Sequence, residues 1–545
     1  MEPVFADAAA ARPALVGSLV TVAPAKIIAD LDALSRRLGM PMMFGQQLLA
    51  SLSGMELLGD QAHFRAIWER LDPVAPFAVV WVLPPRSDVK GYCAALTFRD
   101  GAGARQTFEE MGSPGEQRSG VASRRTPEGD VLWGSVRGRT LFISGSPEAL
   151  LLSARLAEAT QVPPQTGQIV LTALPPAIVA ATGKSRDALL AELAASTAKD
   201  MKTARGFATL ASQRYATAFV EAAAALALDS SAIRLAIEVG PNDGLLLQSE
   251  LVPSPGTGLA TGIAPRAPYA FDGKLPVRDD STTVSAIGSI SAWLGPVAKL
   301  FAVTGPAGKG LQQAMDKYFA MTGEWSCSLD TGEEGMMGLC STPLKDAVKP
   351  KAVLDAIVTL LEAEQAWEAE LYARKLSPLK IKRSRGLVEI EKKLEQPDRQ
   401  ARAMAIALAG GEVMKTAFKV RQGRLLLATG KNARKLLGRH GSGGDLKKAP
   451  LVAAGLARSK GAEVMMSIDV VSMVLRALGR SKDIGPAAAI VAAATAMPGL
   501  ADMKAPFLFI VRGGNSLSGE LRIPLGSLDN VAKVVRGMLE GPAKP

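Results

Sequence analysis

The side chains in this sequence that could carry chemistry are few, so their spacing decides what they can do. Only two histidines occur, His63 and His440. His63 stands beside Phe64 and Ile67 in an amphipathic stretch, where a partly exposed helix residue fits better than a general base. His440 opens His440-Gly441-Ser442-Gly443-Gly444-Asp445, which contains the three residue types of a serine hydrolase. A catalytic base must be oriented by rigid neighbours, and one short glycine-rich loop cannot converge all three groups. A surface linker is the better reading of that segment. The carboxylate pairs Glu109/Glu110, Asp279/Asp280 and Glu333/Glu334 are adjacent in sequence. Adjacent side chains point apart on a strand and do not face each other on a helix, so none forms an acid–base pair alone.

Two segments imitate a phosphate-binding loop. Thr182-Gly183-Lys184-Ser185 follows an apolar run, but the position of the earlier glycine holds Ile178, and Pro175 and Pro176 remove backbone donors. A cradle built from N–H groups cannot tolerate those losses. Gly183 reads instead as the left-handed residue that ends a helix. Gly305-Pro306-Ala307-Gly308-Lys309-Gly310 lacks both the first glycine and the hydroxyl that would meet magnesium. No nucleotide or other cofactor is expected. Cys93, Cys327 and Cys340 make no zinc pattern. Cys327 and Cys340 flank the turn Asp330-Thr331-Gly332-Glu333-Glu334-Gly335, and a symmetric hairpin there would make them cross-strand neighbours able to form a disulfide. A one-residue slip would put one sulfur on the opposite face.

The net charge of +11 is concentrated. Between Arg374 and Lys448 there are 20 Lys and Arg against 6 Asp and Glu, and the rest of the chain is about neutral. Lys380 and Lys382 alternate with Leu379 and Ile381; after Arg383-Ser384-Arg385-Gly386, Glu389 and Glu391 alternate with Val388 and Ile390. That is a hairpin with one apolar face and one where Lys opposes Glu. Lys380, Lys382, Arg383 and Arg385 are the candidate basic binding face, suited to an acidic protein or another anionic component. Only Tyr372 and Phe418 interleave as aromatics, too few for a nucleic-acid stacking platform.

The elements that must position these groups recur in two copies. Arg139-Thr140-Leu141-Phe142-Ile143-Ser144-Gly145 is matched by Arg424-Leu425-Leu426-Leu427-Ala428-Thr429-Gly430, each an apolar strand with a glycine turn. Gly167–Thr172 running to Gly183 is matched by Gly461–Met466 running to Gly479. The hairpin Ile233–Val239/Leu245–Val252 is matched by Phe507–Val511/Leu517–Ile523, each turning on Gly, Asn or Asp. Arg139 and Arg424, and Gly240 and Gly513, are the expected equivalents. The insert Asp187–Leu228 lengthens the first copy, and Ala403–Leu408 alternates like a strand. These landmarks predict an α+β chain of two pseudo-symmetric repeats, mainly antiparallel sheet packed with helices. The boundaries are a tether 1–17, repeats 18–253 and 281–540, a Pro/Gly-rich linker 254–280 and a tail 541–545.

The Ala-rich start Met1–Ala14, the strand–helix stretches Leu19–Leu38 and Thr283–Phe301, and the Arg-x-Leu-x-Ile-x-Gly strand resemble exported bacterial (lipo)proteins of a domain-of-unknown-function family with duplicated α+β halves. The resemblance implies an envelope location, periplasmic or outer-membrane-associated, with no catalytic residues. The residues show neither a lipobox nor an export signal, and the start reads like the tether left after a removed signal; a cytoplasmic protein is the alternative. The longest uncharged stretch, Gly485–Ala501, is Ala-rich and contains Pro486 and Pro498, so no membrane-spanning helix is expected. A non-enzymatic binding or scaffold protein is therefore expected. A carrier of a lipid or other apolar ligand is the alternative, and a hydrolase comes third.

Overall fold

The structure, a computed structural model, describes residues 14–22, 24–39, 69–83, 91–118, 120–127, 129–151, 167–203, 210–263, 271–276, 283–287, 299–332, 334–346, 348–396, 399–442, 453, 455, 457, 462–469, 473 and 505–540. It is a mixed α+β chain of two units, Met1–Leu189 with Ala227–Leu259, and Leu190–Leu226 with Ala260–Pro545. Residues 190–226, expected within the repeat 18–253, thus group with the second unit. His63, Gly479 and the stretch 485–501 lie outside the described residues, as do residues 288–298 of Thr283–Phe301. No helix among the described residues is long and apolar enough to cross a membrane.

The first unit is built on β1 (Ala14–Thr21), β2 (Phe77–Leu83), β3 (Tyr92–Thr97), β4 (Ser113–Arg118), β5 (Val121–Arg125), β6 (Val131–Arg137), β7 (Thr140–Ser144), β8 (Ile169–Ala173), β9 (Ser230–Gly240) and β10 (Gly244–Pro253). Antiparallel pairing gives the order β4-β5-β6-β7-β3-β2-β1-β8-β9-β10. Helix α1 (Pro24–Arg37) packs on β9, and α2 (Gly101–Glu110) on β6 and β7. Asp100 starts α2 by accepting from Gly103 N at 2.6 Å. Strand alternation sends Leu96, Leu132, Leu141 and Ile143 to the Phe108 side of the sheet, and Ala95, Trp133 and Phe142 to the other. Helix α3 (Pro175–Thr182) opens on prolines and closes on Gly183, whose φ of 64° is left-handed. Gly183 is therefore a helix cap, as its sequence context suggested. Helices α4 (Arg186–Thr203) and α5 (Leu210–Leu228) form the insert before β9.

The second unit carries β11 (Thr283–Ile287), β12 (Trp325–Gly332), β13 (Gly335–Pro343), β14 (Lys380–Ser384), β15 (Leu387–Lys393), β16 (Val413–Arg421), β17 (Arg424–Thr429), β18 (Val464–Ile468), β19 (Phe507–Arg512) and β20 (Leu517–Pro524). Its order is β14-β15-β16-β17-β13-β12-β11-β18-β19-β20, antiparallel throughout and the same as that of the first unit. Helices α7 (Pro306–Met321) and α8 (Pro350–Leu371) pack together, after the short α6 (Gly258–Gly262) of the linker region. Val353, Leu354, Ile357 and Val358 of α8 bury against Val388, Ile390, Phe418 and Leu425. Each such side chain contributes about 1.5–3 kcal/mol of burial free energy. The opposite face buries Leu387, Ala417, Leu426 and Ala428 under α10 (Ala433–Leu436). The C-terminal α11 (Leu525–Glu540) packs on β20.

Three local expectations are corrected. Ala403–Leu408 belongs to a helix, α9 (Arg399–Ala409), because its run of Ala, Met and Leu favours helix over the weak alternation, and Gly410 at φ 74° ends it. The polar strands β4 and β5 have too little apolar content to stand out in sequence. The expected equivalents sit one residue out of step: register pairs Thr140 with Thr97 and Arg424 with Pro343, so Thr140 occupies the place of Arg424. Gly240 likewise matches Gly514 when the hairpins are aligned on Leu235 and Phe509.

Candidate functional site

The basic face is built from two hairpins. Lys380 and Lys382 lie across from Glu391 and Glu389, and those lie across from Lys415 and Ala417 on the next strand. Because alternate residues share a face, Lys380, Lys382, Lys415, Lys419 and Arg421 point to the side that α10 covers. All five are exposed, as are Lys431, Arg434, Lys435 and Arg439 around α10. Against them stand Glu389, Glu391 and Glu334, with Lys415 Nζ 3.4 Å from Glu391, Arg434 3.8 Å from Glu389 and Lys431 4.0 Å from Glu334. The surface keeps a clear positive excess. Arg385 is exposed in the turn. Arg383 points to the other face and is spent on Asp355 of α8. The structure therefore groups Lys380 and Lys382 with lysines of β16 that sequence spacing did not connect to them, and separates Arg383.

Lys392 is also internal. Its ammonium sits 3.0 Å from Glu364 and 2.9 Å from Glu368 of α8. Burial opposes its charge, but the two carboxylates outweigh burial and hold its pKa above the usual lysine value.

A buried carboxylate, Asp272, organises the same sheet face beside Arg424, the register partner of Arg421. It lies 3.0 Å from His440 Nε2 and 3.1 Å from Arg424 Nε, and its Oδ1 accepts from the backbone N–H of Lys274 at 3.0 Å. The Ser326 hydroxyl accepts from the Asp272 N–H at 2.9 Å, and Arg424 donates to Ser341 Oγ at 2.6 Å. Burial alone would raise the Asp272 pKa. Hydrogen bonds from Ser341, His440 and Lys274 N–H, with the charge of Arg424, together hold it below the ordinary carboxylate value. His440 is 2 % exposed at its side chain, which corrects its reading as part of a surface linker. Sequence distance hid the partner: Asp272 is 168 residues away. The Ser, His and Asp do not form a relay, because the Ser341 hydroxyl meets Arg424 and Asp272, which also takes the histidine. The group ties segment 271–276 to the sheet, helped by Gly441 N–H donating to Lys274 O at 2.9 Å.

Cys327 and Cys340 are register partners across β12 and β13 and are joined in a disulfide, with Cα atoms 4.0 Å apart. Cys93 is a buried thiol. The start of α7, the second phosphate-loop imitation, already holds an anion of the protein's own: the Glu370 carboxylate accepts from Ala307 N–H at 2.9 Å. Beside it Trp367 donates to Thr304 at 3.2 Å and packs edge-on to Phe301, which stacks on Tyr215 of α5.

Small clefts also lie among the described residues. One of about 160 Å³ lies by Pro24, Asp72, Phe77 and Arg99 of the first unit, and one of about 260 Å³ by Met336, Gly410, Lys415 and Lys431 of the second. Both are smaller than the usual site for a drug-sized ligand. Apolar side chains also stay open on the sheets. Leu171 and Leu235 are register partners and 41 % and 38 % exposed, and Phe509, at the place of Leu235, is 39 % exposed.

No family model matches this chain, and no curated protein matches it. A solved structure described as "Structure of crystal form I of TP0453" is similar at 9% identity with a TM-score of 0.24, over 50% of this chain and 99% of that one. At that score the likeness carries no argument.

Proposed function

We propose that this chain is a non-enzymatic binding or scaffold protein of the bacterial cell envelope, made of two copies of one α+β module, that engages an acidic protein or anionic envelope polymer. The observation that carries the reading is the exposed basic surface of β14, β16 and α10, where Lys380, Lys382, Lys419, Arg421, Arg434 and Arg439 outnumber Glu389, Glu391 and Glu334. Such a surface attracts anions over about a Debye length, roughly 8 Å at physiological salt. The cross-strand disulfide fits an oxidising compartment, which supports an extracytoplasmic location. Binding of the purified protein to soluble polyglutamate across a salt series tests the reading. Affinity should fall steeply with salt and drop further in a Lys419→Glu/Arg421→Glu variant. Equal affinity in wild type and variant would end it.

A second reading, carriage of a lipid or other apolar ligand, is favoured by the open aliphatic pair Leu171/Leu235 and by Phe509 at the matching place. Solvent extraction of the purified protein followed by mass spectrometry tests it. Stoichiometric lipid would favour the carrier, and a clean extract would remove it.

A further inference from the structure

The two sheets end differently at the same topological place. β4, the outer strand of the first sheet, contains Pro114, which has no N–H to donate, and its register with β5 breaks between Pro114 and Gln117. A proline and a bulge on an outermost strand prevent another strand from adding to it. β14 has neither device. It runs in unbroken register with β15 from Lys380↔Glu391 to Ser384↔Leu387, and β15 is its strand partner among the described residues. One side of β14 thus remains as a regular pairing edge, and all its residues are exposed except the half-buried Ile381.

What the edge selects follows from its side chains. Lys380 and Lys382 lie on one face, each flanked on the inner side by a glutamate of β15. A strand added on the outer side would set its own residues directly opposite these lysines, about 4.5–5.5 Å away between Cβ atoms. A carboxylate at each place would complete a Glu–Lys–acid row, and a lysine there would be repelled. Lysines on an edge block indiscriminate pairing; placed this way, they leave acidic strands as the ones admitted.

We infer that β14 accepts an extended acidic segment of a partner protein as an added strand, a mode in which backbone hydrogen bonds give affinity and alternate side chains give specificity. This rests on the reading of the second unit as a module for an anionic partner, and it names that partner as a peptide strand.

The test uses the full chain with three probes: a short peptide alternating Glu and Thr, its Lys–Thr counterpart, and disordered polyglutamate. Binding is read by fluorescence anisotropy, and backbone protection at 380–384 by hydrogen exchange. The Glu–Thr peptide should bind, the Lys–Thr peptide should not, and amides of β14 should slow in exchange when the former is bound. Lys380→Glu/Lys382→Glu should weaken that binding about tenfold or more. If that variant fails to fold, Lys380→Thr/Lys382→Thr is read instead. Binding of the Glu–Thr peptide with unchanged β14 exchange, or unaffected by the substitutions, overturns strand addition. Polyglutamate binding as tightly as the peptide, with no protection at β14, overturns strand addition and leaves the basic-surface reading standing. Failure of every acidic probe to bind overturns both.

Discussion

The two units share a strand order but hold the middle of their sheets by different chemistry. Val79 and Ala94 are register partners in the first unit, at the place where the second has the disulfide of Cys327 and Cys340. One position along, Ala78 faces Ala95 in the first, where Ser326 faces Ser341 in the second. Ala78 and Ala95 are fully buried and inert, whereas Ser326 and Ser341 reach the buried Asp272 and its partner Arg424. Thr140 stands where Arg424 stands, and its hydroxyl lies 3.2 Å from that of Thr97. The first unit closes the same strand order with Val79 and Ala94 in place of the disulfide, and its own buried carboxylate, Asp72, pairs with Arg139 at 2.6 Å. The disulfide and the Asp272–His440–Arg424 group of the second unit bind segment 271–276 and strands β12, β13 and β17 together.

Asp272 should matter most to the stability of the second unit. Replacing it with Ala leaves Arg424 and His440 without their common acceptor, and the second unit should lose about 3 kcal/mol at neutral pH. The carboxylate pKa is lower in the folded than in the unfolded chain, so its contribution is complete above about pH 4 and disappears as pH falls below that value. Denaturant unfolding of wild type and Asp272→Ala at several pH values should show the gap narrowing in acid. A gap that is absent at pH 7, or that widens in acid, contradicts the role given to Asp272. Next in size is the exchange Cys327→Val/Cys340→Ala, which installs the pair of the first unit. It should cost about 2–3 kcal/mol against the oxidised protein and much less against the reduced one. Equal stability with and without reductant would show that the disulfide contributes nothing. Smallest is Lys419→Gln on the exposed basic surface, expected to change stability by less than about 0.5 kcal/mol. A larger loss in thermal melts would make that lysine a structural residue.

Much of the architecture was legible because it is written in local signals. The hairpins at Gly240–Gly244 and after Phe507 carry turn residues between β-rich runs, Pro350 opens a helix with clean apolar spacing, and the cysteines flank a closing turn. The polar strands β4 and β5 carried no such signal, and α9 imitated a strand because alternate positions in an alanine-rich helix look like a pleat. The candidate basic face was half legible. Lys380 and Lys382 stood out with the glutamates opposite, but their alignment with Lys415 and Lys419 depends on register between hairpins, which spacing within one hairpin does not encode. Asp272, Arg424 and His440 were out of reach for the same reason in stronger form. They meet through long-range chain crossing, and His440 sat in glycine-rich company that reads as loop.

The bond between Cys327 and Cys340 also sets how the protein would respond to mechanical load. It joins neighbouring strands well inside the sheet, across a sequence separation of 13 residues. Pulled from its two ends, the second unit can pay out chain on either side, but the hairpin behind the bond stays closed. At about 3.5 Å per residue, roughly 45 Å of contour length is withheld until the sulfurs are reduced. The first unit, with Val79 and Ala94 at that place, has no such stop and releases its whole length. Force spectroscopy with and without reductant would therefore distinguish the two units by how far each extends.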